Sequence, residues 1–500
     1  MSVYKKFASQ TLVYGLSTIF SRLFNFILTP IYTRVYAQGV YGIFTKMYSY
    51  ASIMNAILAF GMETTFFRYL NKYDDKKQEV YNNSFLVIAC ISLLLLFTGL
   101  VFTTPISAFT LSSNNVQAIA EQRKFVQYFI WILFIDAICV IPFAKLRADG
   151  RPFKYSLIKF LNIGVFVGLN LIFIFVIPFI IKHNGIGAEW LVTWFRPKWV
   201  GYVFVANLAA SLSTLLLLLP EFKSLQFKFN KKLAYQMLAY SWPILVANLS
   251  FIINENLDKI LLSKYLPSAI ADRETGIYGA VCKLAIFISI FNTAFRLGAE
   301  PFFFSHAKKE NARTTYANIL NYFVLALAIL FVGLIANISL LKHFIDPKYW
   351  VGLPAVPYLL FGYVCLGIYM NLSVWYRLSD QTRYGLYISL IGAFFTIVMN
   401  VMLIPKYGYM ASAWISMWAY FIIMVISYIL GQKHYPIPYN LKKIVAYLCT
   451  SVLLVILSFY TFEQNIYIGN ALLFVFLVAI YFIEKRNLTN LLTSTSKNED

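Results

Sequence analysis

Apolar runs of about 20 residues, each long enough to cross a hydrocarbon layer of ~30 Å, recur along the chain between short clusters of charge, proline and glycine. Fourteen such runs can be marked off, from one near 9–33 to one near 466–483, and they predict an all-α polytopic membrane protein of about fourteen helices. Cutting the series at its longer polar connections divides the chain into residues 1–232 with six helices, 233–432 with six more, and 433–500 with the last two and a tail.

Composition agrees with the pattern. The 500 residues are 60% hydrophobic and 13% charged, where a soluble protein carries roughly a quarter charged residues. A net charge of +21 would suit a nucleic-acid binder only if it formed an exposed basic face. The charges instead sit scattered in short loops, so no nucleic-acid partner is expected. They orient the chain. With an even number of spans both termini share one side, and placing that side in the cytoplasm puts 26 of the 42 Lys and Arg residues there and 12 opposite, with Arg22, Lys46, Lys283 and Arg296 left within spans. The positive-inside rule therefore predicts cytoplasmic termini. Two early lysines precede the first run with no small-residue cleavage site after it, which predicts a retained first span.

One stretch occurs twice. GVYGIFTK at 39–46 returns as GIYGAVCK at 276–283, and an ungapped offset of 237 aligns eleven identities over the 29 positions from 39 to 67, including Gly61 with Gly298 and Glu63 with Glu300. Apolar composition alone does not match Gly, Lys, Asn and Glu. By extension the first six helices correspond to the next six, as two like-oriented repeats. Parallel repeats of this kind are related by an axis along the membrane normal, and transporters built from them hold substrate at the repeat interface near the midplane.

Charges inside the spans supply the candidate chemistry. Arg22 lies mid-span, where a guanidinium facing lipid costs at least ~2.5–3.5 kcal/mol. Thr18, Arg22, Asn25 and Thr29 fall at i, i+4, i+7 and i+11, one polar stripe on the first span. Lys46 and Lys283 are mates in the repeat. They either face one cavity or extend their stems to the outer interface. Arg296 is a further basic candidate, and Asp136 and Glu255 are candidates for ion coupling. Glu63 and its repeat mate Glu300 are expected to cap backbone or pair with Arg68 or Lys308, and Glu255 and Asp258 to pair with Lys259, Glu255 from four residues back. Basic groups outnumber Asp136, and a hydrated cationic cavity would select an anion. A diphosphate fits, because Arg offers a fork of donors and Lys a point charge.

The five cysteines and four histidines stand singly, without CxxC or HExxH spacing, so no metal is expected. No GxxxxGK[ST] phosphate loop occurs, and no cofactor is expected. With six-plus-six repeats, two further helices, and segments such as FGMETTFFRY (60–69), IPFAKLRADGRP (141–152) and FRLGAEPFFFSHAKK (295–309), the chain resembles the polysaccharide-biosynthesis flippases of the multidrug/oligosaccharidyl-lipid/polysaccharide exporter superfamily. That resemblance implies a V-shaped protein of a bacterial inner membrane. It also implies alternating access, with a polyprenyl-diphosphate-linked oligosaccharide carried from inner to outer leaflet, surrounding membrane lipids and polysaccharide polymerase machinery as partners, and Arg22, Lys46, Lys283 and Arg296 on the diphosphate.

Two other classes were weighed. A multidrug or metabolite antiporter of the same superfamily calls for dominant acids in the cavity and usually twelve helices. A membrane polymerase or glycosyltransferase needs a catalytic acid, a metal-binding acid cluster or a large external loop. None of these features appears in the sequence, so no enzymatic role is expected.

Overall fold

The structure, a computed structural model, describes residues 26–496 apart from 112–115, 227, 308 and 380; side chains at 74, 116, 117, 300, 301, 304, 305 and beyond 485 are also outside the description. Every regular element among these residues is helical. Eleven helices are long and apolar enough to cross a membrane, or twelve if a pair bent by 47° counts as one span. The eleven fall on the third to seventh and ninth to fourteenth predicted spans, and the bent pair on the eighth. Residues 26–35 are helical, and the rest of the first span lies outside the described residues.

The second span is α1 (Gln38–Ala59), followed by α2 (Met62–Lys72). Between them Phe60 and Gly61 take φ of 47° and 64°, the left-handed region that glycine enters without cost. A Cβ on Gly61 would also press on Ile244 and on the Ser241 carbonyl at 2.9 Å. The corner is secured by Ser241 Oγ, which donates to the Phe60 carbonyl at 2.5 Å. Then come α3 (Lys77–Val101), α4 (Val116–Ala148), α5 (Pro152–Leu171), α6 (Gly201–Phe222), α7 (Lys231–Tyr265) and α8 (Ser268–Leu284). Helix α8 begins about two turns before the predicted start near 276. The charged segment ADRET, which reads as a loop, is helical in the structure. Next are α9 (Ile286–His306), α10 (Ala312–Ala336), α11 (Val356–Leu372), α12 (Val374–Leu378), α13 (Arg383–Tyr407), α14 (Tyr409–His434), α15 (Leu441–Ile456) and α16 (Ile466–Ser496).

The chain packs as two compact units. One holds the sequence as far as Lys283 with Lys348–Ala355 and Thr382–Ala419; the other holds Leu284–Pro347, Val356–Gln381 and the chain from Tyr420. In the first unit α1 packs on α4 and α7, α6 on α4 and α5, and α7 on α13. In the second, α10 is flanked by α11, α15 and α16, and α9 lies on α11.

Within the first unit the two copies of the repeated stretch meet. A Cβ on Gly42 would overlap the Asp272 carbonyl, one on Gly276 the Gln38 carbonyl, and one on Gly279 the Thr45 side chain. Small residues thus let two helix backbones touch, as they do in membrane helix pairs where packing, rather than exclusion of water, drives association.

Candidate functional site

The close approach of α1 to α8 determines what Lys46 does. Its side chain is fully buried, and its ammonium stands 2.7 Å from Asp272 Oδ1, whose side chain is 24% exposed. Asp272, Gly276, Gly279 and Lys283 follow i, i+4, i+7 and i+11 spacing along α8, so the stripe that admits α1 also presents the carboxylate to Lys46.

The other repeat lysine has different neighbours. Behind it, α7 carries Asp258, almost wholly buried, beside Lys259. Lys259 Nζ donates to Asp258 Oδ1 at 2.9 Å and to the Glu255 carbonyl at 2.7 Å, and lies 5.4 Å over the Tyr278 ring. Tyr278, a repeat residue with no exposed surface, donates its hydroxyl to Asp258 Oδ2 at 2.7 Å. Of the two expected partners of Lys259, Asp258 takes the ion pair and the pairing with the Glu255 carboxylate is corrected. The lysine turns to its neighbour Asp258, which Tyr278 holds in place, and reaches Glu255 only through the backbone one turn back. Lys283 is partly buried and lies in the field of Lys259 and Glu255. Among the described residues it has no recorded hydrogen bond or ion pair. An ammonium held this way is a ready donor to an incoming anion.

The remaining candidates separate. Thr29 is buried and within hydrogen-bonding reach of Tyr41, whereas Thr18, Arg22 and Asn25 lie outside the described residues. Asp136 on α4 is partly buried, with Ser211 of α6 against it and Lys159 of α5 within electrostatic reach. Arg296 belongs to the second unit and lines a cleft there with Arg377. Glu63 pairs with Arg147 and Arg68 stacks over the Tyr240 ring at 4.1 Å, while Lys308 lies outside the described residues. Among the described residues no three His, Cys, Asp or Glu side chains converge as metal ligands.

Asp272 and Lys159 read as loop positions in the sequence. Lys259 had a signal in the repeat itself, because the offset of 237 sets it on Arg22.

Residues 7–141, about a quarter of the chain, match the family model described as polysaccharide biosynthesis protein. An uncharacterized membrane protein of Methanocaldococcus jannaschii is 22% identical over 414 residues, spanning 77% of this chain and 76% of its own. Among solved structures, the lipid II flippase MurJ in an inward closed conformation aligns with a TM-score of 0.65 at 14% identity, covering 96% of this chain and 100% of that one. An inward-facing multidrug resistance MATE transporter of the MOP superfamily aligns with a TM-score of 0.58 at 14% identity, over 86% of this chain and 96% of its own. The resemblance read from the sequence is borne out in this family match and in a fold shared with that superfamily. The chain is a multi-pass membrane protein whose fold is like that of these transporters.

Proposed function

We propose that this protein is a flippase that carries a polyprenyl-diphosphate-linked oligosaccharide from the inner to the outer leaflet of a bacterial cytoplasmic membrane, with both termini in the cytoplasm. The observation that carries the reading is Lys283, a partly buried ammonium with no recorded carboxylate partner among the described residues. It lies on a helix of a fold shared with a lipid II flippase, in a chain whose N-terminal quarter matches polysaccharide-biosynthesis proteins.

Lys283 would take a phosphate oxygen of the carrier, with Arg22 as the second donor. Lys46 acts differently in this reading. Bound to Asp272, it contributes to the headgroup site only when that pair opens, so the pair is the element that phosphate would compete with. An inside-negative potential drives an anion outward by about 2.3 kcal/mol per charge per 100 mV, which favours a diphosphate in the proposed direction. Asp136 and Glu255 are the groups through which a coupled cation could act.

The experiment is flux of a fluorescent polyprenyl-diphosphate oligosaccharide in proteoliposomes bearing a set potential. The reading expects uptake that rises with potential and falls at least tenfold in Lys283→Met. Flux of the lipid unchanged by Lys283→Met would reject it. Transport of a soluble organic cation by the same vesicles, dependent on Asp136 or Glu255, would favour an antiporter instead.

A further inference from the structure

The second unit contains a cleft that the reading above does not use. It is an open hollow between α9, α10 and the α11–α12 segment, with Arg296 and Arg377 on its walls. Part of the lining is apolar, including Phe295 and Phe323, whose rings stack 3.9 Å apart.

Two asparagines give the cleft its polarity. Asn292 is 2% exposed and Asn371 6%. Asn292 Nδ2 donates to the Tyr363 carbonyl at 2.8 Å, which fixes the amide so that Oδ1 is the free end, and that Oδ1 has no partner. It rests against Gly367, where a Cβ would overlap the amide. The Nδ2 of Asn371 is also buried without a partner. Buried amide atoms are paired in the great majority of cases. Here one spare donor and one spare acceptor line the same hollow, beside two guanidinium groups. No described lining residue is acidic.

We infer that this cleft binds a phosphate diester or diphosphate that carries a neighbouring hydroxyl and an apolar chain. The guanidinium groups and Asn371 Nδ2 take phosphate oxygens, Asn292 Oδ1 accepts from the hydroxyl, and the rings receive the first carbons of the chain. Two sources share that chemistry, a membrane phospholipid such as phosphatidylglycerol and a glycosylated polyprenyl carrier. The inference does not rest on the translocation reading.

The test uses the purified, delipidated full chain in neutral detergent. Dihexanoyl-phosphatidylglycerol, a farnesyl-diphosphate sugar and, as control, dihexanoyl-phosphatidylcholine are titrated by calorimetry. At least one anionic probe is expected to bind more tightly than the choline lipid. Its affinity should fall about tenfold or more in Arg377→Gln and in the near-isosteric Asn371→Leu, since each loses a hydrogen bond to a charged group. Lys406→Gln, at an exposed lysine of α13 in the other unit, should leave that affinity unchanged, which separates binding at the cleft from general attraction to a basic protein. Preference for the glycerol lipid identifies a membrane-lipid site, and preference for the diphosphate a carrier site. Equal affinities in wild type and Asn371→Leu, or equal binding of the choline lipid, overturn the inference; should Arg377→Gln fail to fold, Asn371→Leu decides alone.

Discussion

GVYGIFTK and GIYGAVCK share a tyrosine, two glycines and a terminal lysine, yet the two lysines end in different circumstances. Lys46 is fully buried and bound to Asp272 at 2.7 Å. Lys283 is partly buried and has no recorded ion pair among the described residues. The cause lies in a position that the repeat does not conserve. Asp272 belongs to the second copy, and the offset of 237 sets Val35 at the equivalent place in the first. A carboxylate present in one copy and absent from the other leaves one lysine neutralised and its mate available. Sequence symmetry therefore does not carry over to functional symmetry.

The largest effect that can break this comparison is at the crossing. Gly42→Leu or Gly276→Leu would drive a side chain into a facing carbonyl, a backbone collision beyond the ~1–3 kcal/mol usual for overpacking. No monodisperse protein is expected on size exclusion in detergent. Gly39→Leu and Gly298→Leu should behave as wild type, because a Cβ at either meets nothing within 4 Å.

Next comes the ion pair. Removing one partner of a buried pair costs about 3–5 kcal/mol, whereas replacing both with apolar groups is often neutral. Lys46→Met and Asp272→Val should each lower the unfolding temperature clearly, Lys46→Met towards the lower end because Asp272 retains some solvent, and the double variant should recover most of the loss. Asp272→Val also recreates at Lys46 the unpaired setting of Lys283, so its stability cost measures what the asymmetry is worth.

Smaller effects are expected around the second lysine. Tyr278→Phe removes the hydroxyl that holds Asp258 Oδ2 and should cost about 1–2 kcal/mol by thermal unfolding. Lys283→Met, which breaks no recorded pair, should change stability by no more than about 0.5 kcal/mol.

Hydrophobic runs made most of the fold legible, because a span must be continuous and apolar whatever it packs against. The same criterion hid the start of α8. Asp272, Arg273 and Glu274 read as loop when taken by composition, and only the contact of α1 at Gly276 and Gly279 explains why a helix carries charge there. The lysines were legible as unusual. Their division into a bound and an available group was not, since it depends on a carboxylate supplied across a helix crossing, 226 residues away from Lys46. Asn292 showed only as a repeat match to Asn55 and Asn371 not at all, because a buried asparagine with a spare atom reads like one fully paired.

The most direct measurement compares Lys46→Met, Lys283→Met and the Lys46→Met/Asp272→Val double variant for binding and flux of a polyprenyl-diphosphate oligosaccharide in proteoliposomes. If the second-copy lysine is the available phosphate donor, Lys283→Met retains wild-type unfolding temperature and loses at least tenfold in flux, while the double variant keeps most of it. Flux preserved in Lys283→Met and abolished in the folded double variant would contradict the account.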